Sequence, residues 1–143
     1  MRPIKYRCFN KKTNNMEYNI YIINLSHNEV VIWKEIYDDG QSYVNYETLF
    51  SSKDEFELMQ FTGLHDRNGK AIYEGDIVKF SDGQYVDSGY TYEIVFHEGS
   101  VRCKSENKYF YDHRAFDKDG WDKFYSPEII GNIHENPELL ETK

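Results

Sequence analysis

Apolar and polar positions alternate along much of this chain at the two-residue period of strands. Residues 4–9 put Ile4, Tyr6 and Cys8 on one face and Lys5, Arg7 and Phe9 on the other, which predicts a half-buried strand. The Asn-rich run 10–15 predicts a hairpin loop, and 16–25 the returning strand. A turn at 26–29 leads into a third strand, 30–37, ended by Asp38-Asp39-Gly40, where Gly can supply a positive φ. Residues 43–50 fit no single element. Ser51 or Ser52 ahead of acidic residues resembles a capping box, so a short helix is expected there, with 56–61 extended.

The pattern sharpens from residue 61. Asp66-Arg67-Asn68-Gly69-Lys70 carries Asn-Gly, the strongest short-range hairpin dipeptide, and 71–73 is a short apolar return. Glu74-Gly75-Asp76 predicts another tight turn before a strand from Ile77. Residues 91–96 and 101–104 flank His97-Glu98-Gly99-Ser100 as a further hairpin, and 128–133 forms a last strand. Asn136-Pro137-Glu138-Leu139-Leu140 reads as cap, first-turn proline, acid and apolar anchor of one terminal helical turn. A polar loop is expected at 81–89 and an irregular aromatic stretch at 105–125.

Composition supports a β reading. Aromatics make up 17% of the chain, so a core can form, while alanine is nearly absent. At 143 residues the expectation is a single domain with two sub-lobes, a β-hairpin lobe at 1–55 and a barrel-like lobe at 56–143, the seam falling near 50–60. The formal charge of −8 repels phosphate backbones at long range. The start of the chain carries no signal-peptide pattern, and the longest apolar run is too short to span a bilayer, so a cytoplasmic protein with no membrane partner is expected.

Three segments together resemble the YopX family of phage and prophage proteins. They are Ile4-Lys5-Tyr6-Arg7, the run Leu58-Met59-Gln60-Phe61-Thr62-Gly63-Leu64-His65-Asp66-Arg67-Asn68-Gly69-Lys70 continuing through Ile72-Tyr73-Glu74-Gly75-Asp76-Ile77-Val78, and Ile129-Ile130-Gly131-Asn132-Ile133-His134-Glu135-Asn136-Pro137-Glu138-Leu139-Leu140. Residues 17–55 and 81–125 match only loosely. Cys8-Phe9 stands where the family more often has a small residue and Trp, and His65 where Lys is common. The resemblance implies a mainly β fold with a small C-terminal SH3-like barrel, self-association as a homo-oligomer, and no known catalytic activity.

Gly63, Gly69 and Gly75 recur at even spacing, and Asn68 precedes the second. They are assigned to turn geometry, because neither Gly-Lys-Ser/Thr nor a long helix follows, as a phosphate loop requires. Nothing points to a catalytic centre, a cofactor or a metal site. His27, His65, His97, His113 and His134 are scattered, and Cys8 and Cys103 form no C-x-x-C pair. Cys103 fits a sheet interior better than a nucleophile. Asp117-Lys118-Asp119-Gly120-Trp121-Asp122 brings its Gly one ligand too early for an EF-hand. Carboxylate pairs such as Asp38-Asp39 and Glu74 with Asp76 fall on turns, where Asp is favoured structurally.

Tyrosine is the residue in surplus, with 13 copies, more than a core of this size requires. The cluster Tyr109, Phe110, Tyr111, Trp121, Phe124 and Tyr125 is the candidate protein interface. The alternative is nucleic-acid binding on a small β-barrel, with Arg102 and Lys104 on one strand face as the contacts. The expectation is a non-enzymatic phage accessory protein in the host bacterial cytoplasm that self-assembles and binds a phage or host protein.

Overall fold

The computed structural model describes residues 4–80, 91–105, 108–110 and 127–140. It is mostly β, and no helix of seven or more residues occurs among the described residues. The chain divides into two compact units, Lys5–Met59 and Gln60–Lys143 with Met1–Ile4.

In the unit Lys5–Met59, β1 (Tyr6–Asn10) pairs antiparallel with β2 (Asn15–Glu17), register Cys8 opposite Glu17 and Asn10 opposite Asn15. The Asn-rich loop closes this hairpin as its composition predicts. The Asn10 side chain accepts from the Lys12 N–H at 3.0 Å, and Asn14 has φ +58°. The expectation of a half-buried β1 is corrected. Arg7, Cys8, Phe9 and Asn10 are all buried, because β1 lies between β2 and β6 rather than on an edge. The single return strand expected at 16–25 is two strands. After β2 the chain leaves that ladder at Tyr18 and Asn19, and the Asn19 carbonyl accepts from the Trp33 N–H at 3.0 Å. It then enters β3 (Ile20–Asn24) in a different sheet.

β3 pairs with β4 (Glu29–Asp38), and β4 with β5 (Gln41–Phe50), in the order β3-β4-β5. The β4–β5 ladder runs unbroken from Glu29 opposite Phe50 to Asp38 opposite Gln41. Its turn residues Asp39 and Gly40 both have positive φ, the primed-turn geometry that matches strand twist. Residues 43–50, left open by the sequence, belong to β5 in full. A three-residue 3₁₀ turn, Ser51–Lys53, follows without a side-chain cap. Glu55 closes the loop instead: its carboxylate accepts from the Phe50 N–H at 2.9 Å. The core of this unit is Cys8, Val30, Ile32 and Leu49, with Ile20, Phe56 and Leu58 packed against it.

β6 (Phe56–His65) carries the chain from one unit into the other. In the second unit its end pairs with β7 (Ala71–Tyr73). A five-stranded sheet follows, built from β8 (Asp76–Phe80), β9 (Thr91–His97), β10 (Ser100–Ser105), β11 (Lys108–Phe110) and β12 (Pro127–Asn132). The order is β11-β10-β9-β8-β12, all antiparallel, with a register shift in β12 between Ile129 and Gly131. Among the described residues β11 and β12 do not pair with each other, so mostly β is what the fold establishes and SH3-like closure is not seen. Ile72, Val78, Ile94 and Cys103 form the core of the second unit. The chain reaches its last element, a 3₁₀ turn at Pro137–Leu140, where Thr91 donates its hydroxyl to the Leu139 carbonyl at 2.7 Å. The expected cap Asn136 turns its side chain the other way and accepts from the Asn132 N–H at 3.3 Å.

Candidate functional site

The Gly-rich central segment is a set of braced turns. Gly63, Gly69 and Gly75 all have φ between +82° and +88°. Gly69 and Gly75 fall in turns, whereas Gly63, assigned to a turn from the sequence, lies inside β6 where its pairing with β7 shifts register. Asn68-Gly69 does close a hairpin, but not as a two-residue primed turn: only Gly69 of that pair has positive φ, and residues 66–70 form a longer loop. Asp66 organises it. One carboxylate oxygen accepts the N–H groups of Asn68 and Lys70, both at 2.9 Å, and the other accepts the Ile129 N–H at 3.1 Å. The Arg67 N–H adds a bond to the Pro127 carbonyl at 2.9 Å. Asp76 braces the following turn in the same way, accepting from the Tyr73 N–H at 2.8 Å while almost fully buried. Gly75 sits between two strands, donating to Ile94 and accepting from Ile133. These carboxylates hold backbone in place, as turn acids do.

The cysteines stay in the two separate cores. Burial, helped by nearby Glu17, pushes the Cys8 thiol up to about 12, so it is protonated and unreactive near neutrality. Among the described residues no three His, Cys, Asp or Glu side chains gather into a metal-holding group. The calcium-like run 117–122 and His113 lie outside the described residues.

Of the candidate interface, Tyr109 and Phe110 lie on β11, opposite Lys104 and Cys103. Tyr111, Trp121, Phe124 and Tyr125 lie outside the described residues. The two cations of the nucleic-acid alternative are on β10, and both are half-buried beside acids. Arg102 donates from Nε to the Ser100 hydroxyl at 3.2 Å and lies 3.8 Å from Glu98. Lys104 is directly opposite Glu93. Burial raises the Glu93 carboxyl above its usual value, and Lys104 only partly offsets this.

A different surface was not singled out by sequence. The β3-β4-β5 sheet has one side facing its core through Val30, Ile32 and Leu49. The other side carries Ile22, Val31, Trp33, Val44 and Tyr46, since alternate residues share a face and Trp33 is opposite Tyr46, and the register shift between Ile20 and Ile22 lets Tyr21 join them against Tyr46. The Tyr21 and Tyr46 rings meet at a tilt of 51° with 4.9 Å between centroids. These groups are far from covered: Tyr21 is 60% exposed, Tyr46 52% and Val44 48%. The signal that could have found this face is the uncharged run Gln41-Ser42-Tyr43-Val44-Asn45-Tyr46, placed just after an acidic turn.

The arrangement is a mostly β chain with braced turns and an open aromatic sheet face. A family model described as YopX protein matches residues 5–141, and the chain belongs to that family. A curated relative, the SPbeta prophage-derived uncharacterized protein YopX of Bacillus subtilis (strain 168), is 35% identical over 74 residues, 51% of this chain and 52% of that protein. The chain thus matches about half the length of that relative. The crystal structure of protein EF1440 from Enterococcus faecalis is similar in fold, with a TM-score of 0.64 at 27% identity, covering 98% of this chain and 99% of that one.

Proposed function

We propose that the chain is a non-enzymatic accessory protein of a phage or prophage, acting in the host bacterial cytoplasm, that self-associates and binds a phage or host protein through an aromatic-rich surface. The observation that carries this reading is the exposed side of β3–β5, where Tyr21, Ile22, Val44 and Tyr46 lie together and open to solvent. Contiguous apolar surface of this kind marks a partner-binding face, and Tyr suits it because its ring is apolar and its tip polar. The Bacillus subtilis relative, prophage-derived by name, supports the phage origin. No helix among the described residues is long and apolar enough to cross a membrane. The cluster Tyr109, Phe110, Tyr111, Trp121, Phe124 and Tyr125 stays a second candidate for the protein interface.

Light scattering on the full chain, paired with a gel shift on duplex DNA at physiological salt, tests the reading. A mass above that of the monomer with no retained DNA supports it. A monomer that retains DNA in a strongly salt-dependent way contradicts it and favours the Arg102 and Lys104 face.

A further inference from the structure

We propose that the outer edge of β5 over residues 41–46 accepts an extended, basic segment of a partner protein as an added strand. The inference rests on the protein-binding reading above and names the occupant. β5 is the end strand of its sheet, and each residue from Gln41 to Tyr46 is exposed. Natural edge strands are blunted by lysine, proline or a bulge. This one has none of these: the ladder to β4 shows no register shift, and no charged side chain occurs from Gln41 to Tyr46. A strand added here gains main-chain bonds, and its alternate side chains extend the apolar face of Trp33, Val44 and Tyr46.

Charge decides between occupants. From residue 35 to residue 46 the charged groups are Glu35, Asp38 and Asp39, with no Lys or Arg among them. The bases nearer the core are already engaged, Lys34 by Glu17 at 3.3 Å and Lys12 by Glu47 at 3.2 Å. Two copies joined at this edge would set like charges against like. A segment alternating apolar residues with Lys or Arg lays its apolar side chains on the Trp33, Val44 and Tyr46 face and turns its cations to the other face, where Asp38 stands opposite Gln41.

A random linear peptide library selected on the full chain tests this. Enrichment of sequences alternating apolar with basic residues is expected. Those peptides should weaken as salt rises and lose about tenfold in affinity on Val44→Lys, which places a charge on the edge. Asp38→Lys should lower affinity in the same direction, and both variants should melt with the parent because the sites are exposed. Acidic or patternless winners, winners indifferent to both variants, or a dimer of the full chain abolished by Val44→Lys would overturn the assignment. Self-association that survives Val44→Lys leaves the protein-binding reading intact while these peptide outcomes decide the edge. No enrichment together with a strictly monomeric chain would sink both.

Discussion

In Gln60–Lys143 the turns are tied by buried side chains: Asp66 accepts three backbone N–H groups and Asp76 another. In Lys5–Met59 the longest hairpin has no such brace. The β4–β5 ladder beyond Lys34 and Asn45 is held by its backbone pairing and an Asp39-Gly40 turn, and no side-chain hydrogen bond reaches residues 36–46 among the described residues. Both regions are antiparallel β, yet one commits its polar side chains to holding loops and the other leaves its aromatic side chains open. The difference teaches that a region whose backbone pairing alone suffices for shape is free to present surface. Chemistry buried at a turn, by contrast, is committed to holding it.

Substitutions can break that comparison. Asp66→Ala should have the largest effect. It strands the Asn68, Lys70 and Ile129 N–H groups together, and a loss of about 3 kcal/mol is expected in denaturant unfolding. Asp66→Asn should fall between, since one oxygen is kept. Gly69→Val comes next, at about 1–2 kcal/mol. Its site is open to solvent, so the cost is that of forcing a β-branched residue to φ +82°. In the other unit, Tyr46→Ala removes only a cross-strand neighbour and a tilted ring contact and should cost under about 1 kcal/mol. If Tyr46→Ala lowered the melting temperature as far as Asp66→Ala, the contrast between braced and open regions would fail.

The smallest effect is a pH dependence. Glu93 has a folded-state pKa above its usual 4.5, because burial disfavours the carboxylate more than Lys104 favours it. The folded chain therefore holds this proton more tightly than the unfolded chain. The stabilisation from that proton is complete below the usual value and is lost as pH rises through the raised one. Glu93→Gln should accordingly be more stable than the parent at neutral pH, with the gain shrinking as pH falls toward 4.5. Unfolding curves at neutral and acidic pH check it, and a gain that grows on acidification would contradict the assignment.

Much of the fold was legible because its turns announce themselves in residue type. Gly69 and Gly75 each need positive φ and each appears in a turn, while Gly63 takes the same φ at an irregularity inside β6. The hairpin at His97–Ser100 and the turn at Asp38–Gly40 were readable for the same reason. The bracing was less readable: nothing in the sequence says that Asp66 reaches Ile129, because that contact exists only once β12 is in place. Two-residue alternation misled at β1, where Arg7 and Asn10 are buried along with Cys8 and Phe9. It also ran β2 and β3 together, since a strand that changes sheets keeps the same period. The open aromatic face was missed because residues 43–50 fit no single element, with Tyr43 and Val44 adjacent rather than alternating. Only the pairing shows that the hairpin extends past its core.

Residue-resolved amide hydrogen exchange on the full chain, with and without a selected basic peptide, tests the central claim most directly. The account predicts rapid exchange in the free chain at those N–H groups of Gln41–Tyr46 that point away from β4, slowed on addition of the peptide, with Asn68, Lys70, Tyr73 and Ile129 slow throughout. Protection that appears on β9 and β10 instead, or an edge already protected in the free chain, would contradict it.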